Sequence, residues 1–153
     1  MGEAPLILGP GVGRTLHVGP AEVTVKATAA DTGGAFTLLE TSGHKGGGPP
    51  MHAHLDALEA FYILEGEFDI YVEENCTRCG PGSFIVIPRG AVHSFRIRTE
   101  SAKKLNLYAP GAMVGYFDAM AAAASLGEPV SLPVQADIAR QHHMEIVGPV
   151  PES

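Results

Sequence analysis

Between residues 22 and 109, short apolar-rich runs broken by glycine and proline follow one another, and in the first of them Val23, Val25 and Ala27 alternate with polar neighbours. A period of two is what a strand with one buried face requires. The runs are EVTVKAT (22–28), AFTLLET (35–41), LEAFYILE (58–65), EFDIYVE (67–73), SFIVIP (83–88), VHSFRIR (92–98) and KKLNLYA (103–109). Turn signals divide them at Asp31-Thr32-Gly33-Gly34, Gly66, Asn75, Gly80-Pro81-Gly82, Pro88-Arg89-Gly90 and Pro110-Gly111. The stretch GHKGGGPP (43–50) reads as a loop. Short strands at near-regular spacing predict an all-β sandwich or small antiparallel barrel.

The period changes after Gly111. Met113, Tyr116, Phe117, Met120, Ala121 and Ala124 recur at helical spacing and predict an amphipathic helix ending before Gly127 and Pro129. A second helix is expected from Pro133 to about His143. Both are alanine-rich and are expected on the barrel exterior. Residues 1–20, rich in glycine and proline near their start, read as an N-terminal arm. The barrel is expected over 22–109 and a C-terminal helical segment over 113–147, all in one domain, 1–153.

Composition supports the turn-rich reading, with 19 glycines and 12 prolines among 153 residues and no glycine period. Ten basic against seventeen acidic residues leave a net charge of −7. An acidic chain with no basic stripe is a poor nucleic-acid binder. No apolar run reaches the roughly 18 residues of a membrane span, and the first residues lack the basic and apolar regions of a signal peptide. A cytoplasmic protein is expected. Cys76 and Cys79 read as free thiols, since a structural zinc site wants four ligands and the chain has two cysteines. Arg96, Arg98, Lys103 and Lys104 are expected along a solvated strand edge, where charge discourages edge-to-edge pairing.

The chemistry lies in the histidines. His52 and His54 are two apart, so an extended chain points both to one face. Glu59 shares a face with Phe61 and Ile63, and His93 with Phe95 and Ile97. A carboxylate on an apolar inward face is costly unless it is paired or binds a metal. Three histidines and a glutamate on strands converging inside one barrel make a metal site. Imidazole with carboxylate suits one divalent Fe, Mn, Co, Ni, Cu or Zn, and not Ca or Mg.

The spacing of the whole set carries more than any pair within it. The stretches GGGPPMHAHLDALEAFYILEG (46–66) and GSFIVIPRGAVH (82–93) resemble the two signature motifs of the cupin superfamily, glycines and prolines included. The resemblance implies a double-stranded β-helix, a short antiparallel barrel, with His52, His54, Glu59 and His93 as metal ligands. One position departs: the second motif usually ends on Asn four residues after its histidine, where this chain has Ile97. VKATAADTGGAFTLLE (25–40), AFYILEGEF (60–68) and HHMEIVGP (142–149) resemble single-domain bacterial cupins of the quercetin 2,3-dioxygenase-like type.

That likeness implies a dioxygenase acting with O2 on a flavonol, a polyketide or a similar enolisable aromatic. Four protein ligands on a six-coordinate ion leave two positions, for substrate oxygen and for water or dioxygen. Glu59 is the candidate catalytic base. Phe61, Phe95 and Ile97 are the candidate substrate pocket. A non-oxidative isomerase, cyclase or decarboxylase, and a non-catalytic cupin that binds a small molecule, fit the same open positions. A homodimer is expected, because a single small barrel leaves sheet edges exposed.

Overall fold

The computed structural model describes residues 4–124 and 130–152. Its elements are β1 (Arg14–Val18), β2 (Ala21–Ala27), β3 (Thr37–His44), β4 (Met51–His54), β5 (Leu58–Glu65), β6 (Phe68–Val72), β7 (Asn75–Cys79), β8 (Phe84–Ile87), β9 (His93–Ile97), β10 (Ser101–Ala109), α1 (Val114–Ala124), α2 (Leu132–Gln141) and β11 (Met144–Gly148). They form a six-stranded sheet, β1-β2-β3-β10-β5-β8, and a five-stranded sheet, β11-β4-β9-β6-β7. The strand pairs are antiparallel. No helix among the described residues is long and apolar enough to cross a membrane.

On β5 the facing read from the sequence is correct. Glu59, Phe61 and Ile63 are at most 3% exposed, while Leu58, Tyr62 and Leu64 face out. Gly66 turns β5 into β6 with φ of +76°, and a Cβ there would meet Ser101 O at 2.5 Å. Both conformation and space therefore demand glycine.

Five expectations need correction. The expected arm, 1–20, is not all arm: Arg14–Val18 forms β1, hairpinned to β2 across Gly19-Pro20, and Leu16 and Val18 pack on the core. The segment 113–147 is not helical to its end. The helix stops at Gln141, and β11 pairs with β4 so that Met144 lies opposite His54. Ile146 and Val147 favour that extended conformation.

The 43–50 stretch is loop over 45–50 as expected, but not from its start. β3 runs to His44, and the Gly46 N–H and Gly47 carbonyl bond the Ile97 carbonyl and N–H, both at 2.9 Å. A Cβ on Gly48 would lie 1.9 Å from Phe95 O, so only glycine permits this approach.

The basic residues line no common edge. β10 sits between β3 and β5, and Lys104 is 1% exposed. Lys103 faces Glu40 at 3.5 Å, Arg98 pairs with Asp69, and Arg96 donates to Pro151 O at 2.8 Å.

The helices do more than coat the exterior. Tyr116, Met120 and Ala139 share one buried cluster with Val23, Leu39, Tyr108 and Met144. Ser131 caps α2 by accepting from Val134 N at 3.4 Å, and Gln135 donates to the Tyr116 hydroxyl at 3.2 Å, tying α2 to α1. The predicted helix stop at Gly127 and Pro129 lies outside the described residues. A second apolar cluster, of Phe61, Ile63, Phe68, Ile70, Ile87 and Ile97, fills the barrel between the sheets.

Candidate metal centre

Three strands bring the four predicted ligands together. His52 and His54 point inward from β4, and His93 stands directly across from His52 on β9. Glu59 reaches them from β5 in the opposite sheet. All four are buried, and one donor atom from each lies within 4.8 Å of the others. His17, His44, His142 and His143 take no part in this cluster.

The hydrogen bonds fix what each ring offers. His52 Nδ1 lies 2.7 Å from Pro50 O, and His93 Nδ1 lies 2.9 Å from Ala91 O. A carbonyl only accepts, so both Nδ1 atoms carry the proton and both Nε2 lone pairs turn inward. Glu59 Oε2 lies 2.6 Å from His54 Nε2 and 2.9 Å from His93 Nε2. The His54 approach lacks hydrogen-bond alignment, and neither ring nitrogen of His54 has a hydrogen-bond partner. Lone pairs crowded on one point, with an orphaned buried imidazole among them, repel unless a proton or a cation lies between them. The donor set and its geometry fit a divalent transition metal.

Charge and burial set the protonation states. Burial, reinforced by the neighbouring His93, pushes His52 down to about 3, which keeps it neutral and able to ligate. Burial opposes ionisation of Glu59, but His54 and His93 beside it hold its carboxyl well below the usual range. Burial would lower His93, and the hydrogen bond and charge of Glu59 outweigh it and raise the group.

The cluster lines a mainly apolar cavity of about 530 Å³. That is within the range of about 300–1,000 Å³ typical of small-molecule pockets. Phe61, Phe95 and Ile97 line it, as do Met113, Phe117 and Met120 from the helical end.

Three lining residues escaped the sequence reading: Lys104, Asn106 and Tyr108, all buried on the inward face of β10. Their signal was the alternation of KKLNLYA, which places these three on one face and Leu105 and Leu107 on the other. Burial lowers the Lys104 ammonium to about 7, with Glu59 opposing the shift. Burial, aided by Glu59, raises the Tyr108 phenol well above its ordinary value.

Residues 41–108 match the family model of the cupin domain. The two-sheet barrel and the buried His-His-Glu-His cluster agree with that match. The chain resembles the quercetin 2,3-dioxygenase of Bacillus subtilis (strain 168), being 29% identical over 116 residues, 76% of this chain. The chain spans only 34% of the length of that relative. Among solved structures, an RmlC-like cupin from Shewanella frigidimarina superposes with a TM-score of 0.63 at 16% identity, covering 72% of this chain and 96% of that one. The polyketide cyclase RemF from Streptomyces resistomycificus gives 0.53 at 25% identity, covering 59% of this chain and 65% of its own.

Proposed function

We propose that the protein is a metal-dependent dioxygenase that opens a flat, enolisable aromatic of the flavonol type with O2. The observation that carries this reading is a carboxylate, Glu59, buried among three inward-facing imidazoles at a mainly apolar cavity. The similarity to a quercetin 2,3-dioxygenase supports the choice of chemistry.

His52, His54, Glu59 and His93 would hold one divalent Fe, Mn, Co, Ni, Cu or Zn. The bound ion would supply Lewis acidity toward an acidic substrate hydroxyl and, for a redox-active metal, an electron path between substrate and dioxygen. The chain's own residues do the rest. Glu59 Oε2 faces the histidines and, in this reading, is ligand and general base in turn, taking the hydroxyl proton when it is not held by the ion. Phe61, Phe95 and Ile97 form one apolar wall for a planar ring, and Phe117 and Met120 form another. Together they exclude water from the anion.

A second reading, non-oxidative cyclisation or isomerisation, is favoured by the likeness to RemF. Oxygen separates the two. Protein loaded in turn with each candidate metal should consume O2 with a flavonol in an oxygen electrode. If no flavonol supports oxygen uptake with any of them, the dioxygenase reading is wrong. Turnover that persists without oxygen would favour the second.

A homodimer belongs to the same reading. Ile7 on the arm is 89% exposed and Phe84 on edge strand β8 is 66% exposed, apolar surface that a second copy would cover. Light scattering at micromolar concentration should give twice the chain mass, and a monomeric mass contradicts it.

A further inference from the structure

Lys104 is buried on the central strand β10, yet no carboxylate among the described residues lies within ion-pair distance of it. Its ammonium stacks on Phe61 and Phe95, 4.3 and 4.1 Å from the ring centroids. Its hydrogen bonds go to Asn106 Oδ1 at 2.7 Å and Thr41 Oγ1 at 3.2 Å. The Thr41 hydroxyl in turn donates to Asn106 Oδ1 at 3.0 Å. A carboxylate only accepts, so the amide must turn its nitrogen to Glu59 and its oxygen to Lys104 and Thr41. The amide nitrogen donates to Glu59 Oε1 at 3.3 Å.

We propose that Lys104, Thr41 and Asn106 form a positioning relay that holds Glu59 Oε1 by a hydrogen bond and leaves only Oε2 for the metal. The proposal rests on the metal-site reading above and assigns three residues to it that the motifs do not contain. It also places an amide beside the site in a chain whose second motif carries Ile97 where asparagine is usual. Ile97 packs in the apolar cluster, so an amide reaches the centre from β10 instead of β9. Asn106 is register partner to Phe61, and its neighbour Tyr108 to Glu59, which sets the amide beside the carboxylate. With Oε1 engaged, the carboxylate offers a single oxygen to a metal, and Oε2 stays aimed at His54 and His93 instead of rotating to chelate.

The sign of one substitution separates this relay from plain electrostatics. A buried ammonium repels a divalent cation, so on charge alone Lys104→Met should tighten metal binding. The relay predicts the reverse, because the amide is then free to flip and Glu59 loses its support. The test is calorimetric titration of metal-free protein with Co²⁺, together with the visible absorption spectrum of the bound ion. Wild type should bind one Co²⁺ per chain. Lys104→Met and Asn106→Leu should each weaken it by roughly 10–100-fold, the usual cost of losing a group that orients a ligand, and shift the visible bands. The double variant should bind no more weakly than Asn106→Leu, since both changes break one chain of contacts. Should Lys104→Met fail to fold, Thr41→Val carries the test: it should weaken Co²⁺ binding in the same direction, and Thr41→Ser should restore it. If wild type binds no Co²⁺, the metal reading falls and takes the relay with it. If wild type binds and Lys104→Met, or Thr41→Val in its place, binds as tightly or more tightly with an unchanged spectrum, the relay alone is overturned.

Discussion

Two apolar clusters bracket the histidines, and they are built from different materials. One lies between the sheets and consists largely of strand side chains: Phe61, Ile63, Phe68, Ile70, Ile87 and Ile97. The other joins strands to helices and includes Met113, Met120 and Met144 beside Tyr108 and Tyr116. Branched and aromatic side chains on a ladder have few rotamers and one register. Methionines are unbranched and repack at little cost, whether on a helix (Met120), just before one (Met113) or on a short edge strand (Met144). Both clusters line the cavity, so the centre has one stiff wall carrying Glu59 and the relay, and one adaptable wall. On the proposed function, the first wall would carry the chemistry and the second would accommodate the substrate.

The largest expected effect is at Glu59, which projects from the stiff wall. Glu59→Gln should lower turnover per bound metal by about 10²–10⁴-fold, the usual worth of a positioned base. Raising the pH, which supplies substrate already deprotonated, should restore part of that loss. If Glu59 serves only as a ligand, metal content falls while turnover per bound metal stays nearly unchanged, and no rescue by pH appears.

Stability should divide the two walls next. Phe68→Ala should cost about 3–5 kcal/mol in denaturant unfolding, because the strands around it cannot collapse into the space. Met120→Leu, on the helical wall, conserves volume and should cost less than about 1.5 kcal/mol. Similar losses for both would show that the walls do not differ.

A pH effect should follow from His52. In the metal-free protein its folded value, about 3, lies below the ordinary value of 6.5. The unfolded chain therefore takes up a proton that the folded chain refuses as pH falls below 6.5, and stability declines down to about pH 3. Above pH 6.5 both states are neutral and the contribution is flat. Unfolding of metal-free wild type and His52→Gln across this range should show a shallower acid slope in the variant. Equal slopes would mean that His52 titrates normally.

Most of the barrel was legible because strands with one buried face announce themselves by alternation, as β2 does, and because turn residues separate the runs. The four clustered residues were legible because their spacing is tied to the strands that carry them. Other parts were hidden for physical reasons. β1 and β11 are five residues each and follow glycine or a helix, so their short alternation is overshadowed by stronger neighbouring signals. On β10 the pattern misleads: Leu105 and Leu107 face away from the cavity, while Lys104 and Asn106 point in. Lysine 104 looks solvated in sequence, and only the placement of β10 between β3 and β5 shows that it must be buried and partnered. The contacts of Asn106 with Lys104 and Glu59 join residues two and 47 positions apart, and no local pattern encodes the longer one.

The central claim is that His52, His54, Glu59 and His93 hold one metal ion, and elemental analysis tests it most directly. Protein purified without added metal salts should carry about one transition-metal ion per chain, and His52→Ala combined with His54→Ala should carry none while keeping the fold by circular dichroism. Binding to wild type should also weaken as pH falls, since His93, which Glu59 raises above its ordinary value, cannot ligate once protonated. A double variant that retains the full metal complement would contradict the account.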